Sequence, residues 1–533
     1  MSRASSGGDK VQASPEDLGP ETINERPAFI AADDWADLLV VGAGISGISA
    51  AYHLQKYCPD RSYQIFEGRA ALGGTWDLFR YPGIRSDSDM FTLGFSFRPW
   101  TGAKAIADGP SILKYLQDTV REYGIDDKIR YHRQVKSIQW NGKNQYWQVD
   151  YENRDTHEPG RFYCRFLHMC SGYYNYQRGF RPDFPGETQF EGLILHPQFW
   201  PPKLELRAKN VVIIGSGATA MTLLPALAQE ASHVTMLQRS PTYVISRPAK
   251  DPLANFLRKI LPAKWAYHLI RMRNVAMQAY FYGLAKRKPA HVRNYLLGLV
   301  RKAMGPDYDI RRHFTPNYNP WDQRLCLVPD GDLFDTLKSG RGQIVTDEIA
   351  SFEARGLRLK SGDFLPADIV ITATGLELQL LSGIDITVDG APVKLADSFT
   401  YKGIMYSGVP NLVSTFGYVN ASWTLKADLT AQFMCRVLNH MRIHHVTSAT
   451  PIPGPGDMEK MPWLNFTPGY FQRAMHLMPL QGPKAPWRVY QNYYRDVHYL
   501  KDAPLDDGYL RFFDANSAPL HHRSAASTGR DAA

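Results

Sequence analysis

Two short glycine-rich stretches hold the first chemical information in this chain. Gly42-Ala43-Gly44-Ile45-Ser46-Gly47 follows an apolar run from Asp37 to Val41 and opens a stretch of helical character that reaches Tyr57. A turn of this kind needs Gly42 for its backbone angle, Gly44 so that a pyrophosphate can approach the main chain, and Gly47 so that helix and strand can close together. The helix N-terminus then turns its amides and partial positive charge toward the phosphates. The next strand-like run, Ser62–Phe66, ends on Glu67, twenty residues after Gly47, where a carboxylate can accept hydrogen bonds from a ribose. The second stretch is Gly215-Ser216-Gly217-Ala218-Thr219-Ala220, and the run after it ends on Gln238-Arg239-Ser240. No acid stands there. Arg239 would pair with a ribose 2′-phosphate that an acid would repel. The two sites together read as FAD on the first and NADPH on the second.

Each strand–turn–helix–strand unit spans 31 residues, 37–67 and 209–239. Short apolar runs that end at glycine suit buried parallel strands. The predicted fold class is therefore α/β, with two Rossmann-like dinucleotide-binding domains and a helical insertion. A flavin domain built from 36–175 and 376–515 would enclose an NADPH domain over 188–375, joined through a linker at 176–187. The insertion falls near 250–320. Residues 1–35 and 516–533, rich in small and polar side chains, read as flexible extensions. Alternation over 129–150 around Asn141-Gly142-Lys143-Asn144 predicts a hairpin.

Between the two units, Phe190, Gly192, His196, Trp200 and Pro201 fill every fixed position of the pattern FxGxxxHxxxWP. This segment resembles the fingerprint of the type I Baeyer–Villiger monooxygenases. Leu72-Gly73-Gly74-Thr75-Trp76, Arg80-Tyr81-Pro82-Gly83 and Ser86-Asp87 are similar to that family's flavin-side loop. Ala373-Thr374-Gly375 is similar to its ATG motif, and Asn319–Arg324 to its active-site arginine segment. The resemblance runs over about residues 36–515.

It implies an enzyme that uses NADPH and O2 to convert ketones to esters or lactones through a C4a-peroxyflavin, and that also oxygenates sulfides or thioamides. It further implies that Arg324 is the catalytic arginine beside the flavin and Asp87 the carboxylate that orients it. A fixed cation there would stabilise the developing anions of the reaction. Gly74, Thr75, Trp76 and Asp87 would lie against the flavin, and Thr219 and Ser240 against the nicotinamide nucleotide. His196 would sit at the domain linker and couple the domains by hydrogen bonds. One departure stands out. Gln323 occupies a place where many members of the family carry a basic residue, which leaves more of the phosphate grip to Arg239. An N- or S-oxygenating flavin monooxygenase without ketone activity, and a non-catalytic flavoprotein module, are the competing readings.

The formal net charge is +9, and residues 252–306 hold eleven Lys and Arg with no Asp or Glu, so the remainder is close to neutral. The charge thus describes one segment and argues against nucleic acid as a partner, because no reading module accompanies it. That segment is expected to pack on the NADPH domain and wall the substrate route. It would also allow peripheral contact with anionic lipid through Arg258, Lys259, Lys286, Arg287 and Lys288. The five scattered cysteines suit neither a disulfide framework nor a metal site. Cys164 and Cys170 are too far apart along one strand to form the redox pair of a disulfide reductase. With no apolar leader at the N-terminus, a cytoplasmic enzyme is expected.

Overall fold

The computed structural model describes residues 26–514 except 324, 455, 457, 458 and 465. Arg324, the first 25 residues and the tail from 515 onward lie outside the described residues.

The strand Trp35–Val41 lies between Tyr63–Phe66 and Pro159–Met169 and is parallel to both, with Val40 opposite Ile65 on one side and His168 on the other. It starts inside the stretch read as an extension, because Ala36 already packs into the core. Leu38, Leu39 and Val40 are fully buried. A strand covered on both faces has no polar side to display, so its sequence is a continuous apolar run. Arg133–Asn141 and Tyr146–Asn153 extend the sheet as the expected hairpin, which turns where Asn141 Oδ1 accepts from the Asn144 amide. Asp385–Val388 and Leu412–Ser414 then join the same nine-stranded sheet from the far side of the second unit.

The second sheet has five parallel strands in the spatial order Gly342–Thr346, His233–Gln238, Asn210–Ile214, Ile369–Thr372, Leu193–Leu195. Both glycine-rich turns follow the first strand of their unit, at the carboxyl ends where a crevice opens in a sheet of this kind.

The insertion consists of the helices Pro252–Ile260, Ala263–Arg287 and Pro289–Met304. It does not pack on the NADPH half alone. Arg271, in the long middle helix, donates to the carbonyls of Phe91, Thr92 and Gly94 at 2.8, 3.2 and 2.7 Å and faces Asp428 at 3.5 Å, all in the flavin half. A buried guanidinium must satisfy its donors, and these carbonyls are what it finds. The third helix turns the other way, with Val300 in the core of the NADPH half.

Burial sets an acid limit on this core. His168 is fully buried beside Thr415, 2.9 Å from Nε2 to the hydroxyl, and desolvation pushes its pKa down to about 3. The unfolded chain takes up this proton near pH 6.5 while the folded chain resists it. The stabilising contribution is therefore complete above that pH and is lost as pH falls toward the folded value, by about 2–3 kcal/mol at pH 4.5. Urea unfolding of the wild type and His168→Gln at pH 7 and 4.5 checks this. The variant should lose about 2 kcal/mol less over that interval.

Candidate functional site

The first crevice is an elongated cavity of about 290 Å³. Gly42, at φ +109°, lies against Cys170, and a Cβ there would come within 2.6 Å of the Cys170 carbonyl oxygen. A Cβ on Gly47 would fall 1.9 Å from the Gly42 carbonyl oxygen, so the third glycine is required for helix and strand to touch. Gly44 faces Gly74 across the crevice, where a Cβ would stand 3.5 Å from the Gly74 Cα, and Gly74 itself has φ +54°. Two backbones without side chains thus form one cradle. Glu67 closes it. Its Oε2 accepts from the Ala43 amide at 2.8 Å and its Oε1 from the Arg69 amide at 3.0 Å. Burial pushes the carboxyl pKa up, and these amides oppose that. Each oxygen keeps a lone pair for a ribose hydroxyl. These features fit the adenosine diphosphate part of FAD.

Ile45, Thr75, Trp76, Gly172 and Tyr174 line both this crevice and a second cavity of about 1230 Å³. A long ligand held at the first turn can therefore present its far end in the larger space. Asp87 lines that space, as do Gly215, Gly217, Thr219, Arg239 and Ser240. Arg239 and Ser240 are exposed at its rim, where they share the wall with Asp347 and Glu348. Glu348 is occupied by Lys360 at 2.6 Å, which limits its repulsion of a phosphate. Tyr81, from the flavin-side loop, is half-buried beside Thr219. Burial raises its phenol pKa and the hydrogen bond to Thr219 opposes the rise. Gly83 of the same loop presses on the helix Ala218–Leu227, where a Cβ would meet Ala226 at 2.9 Å. The two nucleotide sites are thus in direct mechanical contact.

A Cβ on Gly217 meets nothing within 4 Å. The space over this turn is open, as the approach of a pyrophosphate to the main chain would require. Gly217→Val should therefore leave folding and flavin content unchanged and raise the KM for NADPH at least about tenfold. Steady-state kinetics alongside the flavin spectrum measures both.

The fingerprint residues lie away from the cavity. His196 Nδ1 accepts from the Gln198 amide at 3.2 Å, which puts the ring proton on Nε2, and Nε2 donates to the Gly375 carbonyl at 3.2 Å. Burial lowers the His196 pKa and keeps the ring neutral. Gly179 lies so close that a Cβ would fall 2.0 Å from the ring. Phe190 packs edge-on against Phe352, and a Cβ on Gly192 would reach within 2.4 Å of the Asp368 carbonyl oxygen. Trp200 packs on the core of the NADPH half, and Pro201 follows it half-buried. Together they brace the place where the chain leaves and re-enters the flavin half.

Sequence reasoning did not find three polar residues of the large cavity. Asp89 accepts from Asn274 Nδ2 at 2.8 Å and from Gln278 Nε2 at 3.1 Å, and all three line it. The signal was present, because Asn274 and Gln278 are one helical turn apart in a segment otherwise apolar and basic. Of the arginine segment, Gln323 and Leu325 line the cavity. Arg324 between them is outside the described residues.

Comparison with known proteins gives a consistent result. A model of the NAD(P)-binding Rossmann-like domain matches residues 40–106, and one described as flavin-binding monooxygenase-like matches 106–298. The FAD-containing monooxygenase EthA of Mycobacterium tuberculosis is 52% identical over 478 residues, 89% of this chain and 97% of that protein. The probable FAD-binding monooxygenase AlmA of Acinetobacter baylyi is 48% identical over 481 residues, 89% of this chain and 96% of that protein. Among solved structures, an oxidized steroid monooxygenase bound to NADP aligns with a TM-score of 0.66 at 22% identity, covering 79% of this chain and 88% of that one. An open cyclohexanone monooxygenase aligns with a TM-score of 0.65 at 20% identity, covering 79% and 90%. At that identity the likeness is one of fold.

Proposed function

The chain belongs to the FAD-containing monooxygenases, and from that premise we propose that it uses NADPH and O2 to insert one oxygen atom into apolar ketones, giving esters or lactones. It also oxygenates the sulfur of sulfides and thioamides, where the sulfur lone pair takes up the oxygen atom. In either case one oxygen atom enters the product, the other leaves as water, and NADPH supplies two electrons.

The observation that carries this reading is the single cavity that takes in the flavin-side loop, the second glycine-rich turn and the inner face of the insertion. Reductant, flavin and substrate can share one space. Bound FAD supplies the hydride acceptance and dioxygen activation that no side chain provides. The chain's own part is positioning and electrostatics. Gly44 and Gly74 admit the pyrophosphate, Glu67 holds the ribose, and Trp76 stands where the crevice enters the large cavity. Gly215 and Gly217 take the second pyrophosphate and Arg239 the 2′-phosphate. Arg324, oriented by Asp87, places a fixed positive charge where negative charge develops on oxygen. Asn274 and Gln278, held by Asp89, give the substrate a neutral polar edge on the insertion's side of the wall.

The test is a panel of methyl ketones and sulfides incubated with the yellow holoprotein and NADPH, with products identified by mass spectrometry. Esters from ketones support the proposal. Sulfoxides alone would place the enzyme among N- and S-oxygenating flavin monooxygenases. Arg239→Ala should raise the KM for NADPH about tenfold or more and leave that for NADH nearly unchanged. An equal effect on both would contradict the 2′-phosphate role.

A further inference from the structure

The insertion leaves a large apolar surface uncovered. On the helix Pro252–Ile260, Leu253, Phe256 and Ile260 share one face, and Phe256 and Ile260 are 56% and 58% exposed. On the helix Ala263–Arg287, Trp265, Leu269, Met272 and Tyr280 fall on one stripe at helical spacing, and Trp265 is 67% exposed. Only Leu261 and Pro262 separate the two helices. Soluble monomers seldom expose this many large apolar side chains on consecutive helices without a partner for them.

The charge beside the patch selects the partner. Lys259 and Lys264 are exposed at the turn, and Arg287 and Lys288 at the far end of the long helix, with no acid anywhere in 252–306. Two of the cations expected to face lipid are engaged by the protein instead. Arg258 donates to the Gly102 carbonyl at 2.9 Å, and Lys286 pairs with Asp322 at 2.9 Å. A second copy of the chain docked face to face would bring two such basic segments together and be repelled. An anionic bilayer offers apolar depth for the aromatic face and negative charge for the lysines. No helix of the described residues is long and apolar enough to cross a membrane, so the contact is peripheral.

The opposite face of the same helix belongs to the substrate cavity. Asn274, Gln278 and Phe281 line it, and Met277, 41% exposed, stands at the edge between the two faces. Met277 lies twelve residues, about 18 Å, along the helix from Trp265.

We propose that the outer face of the insertion docks on an anionic lipid bilayer and presents the cavity mouth near Met277 to apolar substrates dissolved in that bilayer. The docking stands on the exposed face itself, and the delivery of substrate rests on the monooxygenase reading.

The experiment is sedimentation of the full-length holoprotein with vesicles of phosphatidylcholine alone or with 30 mol% phosphatidylglycerol, for the wild type and for the triple variant Phe256→Ser, Ile260→Ser, Trp265→Ser. None of these three residues lines the cavity. The wild type should bind the anionic vesicles at least about tenfold more tightly than the neutral ones, and the variant should lose about tenfold or more of that binding. With a water-soluble short ketone, wild type and variant should turn over alike, which also shows the variant is folded. With a long-chain methyl ketone held in the anionic vesicles, the variant should be several-fold slower. Equal binding of wild type and variant, or no preference for anionic lipid, overturns the docking. A wild-type dimer that the same substitutions dissolve overturns it in favour of a second copy. Normal docking with no lag of the variant on the vesicle-held ketone overturns the delivery alone. Docking without ketone turnover by either protein leaves the lipid contact standing and removes the oxygenation reading on which delivery depends.

Discussion

Arg324→Ala should abolish oxygenated product while NADPH still reduces the bound flavin. Hydride transfer needs the two nucleotides in contact, and the features that hold them, from Gly44 and Gly74 to Gly217, are untouched by this substitution. Oxygen transfer needs more. Negative charge accumulates on oxygen between protein walls, where a fixed, preorganised cation is worth more than in bulk water. Loss of one such group lowers turnover by about 10²–10³-fold in enzymes that stabilise an oxyanion. The neighbours of Arg324, Gln323 and Leu325, both line the large cavity, as does Asp87. Rapid mixing of the variant with NADPH, followed by aerobic product analysis, separates the two half-reactions. Flavin should bleach at a rate close to that of the wild type, and NADPH should then be consumed with ester below about 1% of the wild-type yield. Unchanged ester yield would remove Arg324 from the reaction. Arg324→Lys should restore only part of the yield, because an ammonium lacks the planar fork that a carboxylate such as Asp87 can orient.

The second large effect is structural. Arg271→Ala should destabilise the protein by about 3–5 kcal/mol, the range seen when one partner of a buried ion pair is removed. The guanidinium satisfies three carbonyls and faces Asp428. Asp428 would keep its bonds from the Ser49 hydroxyl at 2.7 Å and the Ser96 amide at 3.1 Å, but its charge would be buried without a counter-ion. Thermal unfolding checks the expectation, with a fall in Tm of about 6 °C or more for an unfolding unit of 150–250 residues. Because the same helix carries Asn274 and Gln278, the variant should also show a raised KM for substrate at temperatures where it remains folded. A Tm equal to that of the wild type would mean that the insertion is not anchored here.

The parts of this molecule that were legible in its sequence are local ones. Each Rossmann-like unit declares itself within 31 residues, because a parallel strand, a tight glycine turn and a helix leave consecutive marks. The Asn141–Asn144 hairpin is legible for the same reason. The insertion was legible as helix but not in its docking, since Arg271 meets Phe91 180 residues earlier in the chain and nothing in the local pattern encodes that meeting. Its apolar residues were likewise legible only as a set. Ile270, Leu296 and Val300 turn inward while Phe256, Ile260 and Trp265 turn outward, and the neighbours that decide between these come from elsewhere in the chain. Gly215, Gly217 and Arg239, singled out by the spacing a nucleotide imposes, line the large cavity. Asp89, Asn274 and Gln278 line it too, but no fixed spacing in the sequence marks them. The fingerprint residues, specific as their pattern is, do not line the large cavity. His196 braces the crossing between the domains, where its Nε2 reaches Gly375.

In the proposed reaction one cavity couples NADPH oxidation to insertion of an oxygen atom from O2 into an apolar ketone. The most direct measurement is turnover of the holoprotein with NADPH and a methyl ketone under ¹⁸O₂, with the label followed by mass spectrometry and NADPH consumption counted against product. Each ester molecule should carry one ¹⁸O atom, and one NADPH should be consumed for each ester formed. NADPH consumption matched by hydrogen peroxide, with no labelled ester, would contradict it.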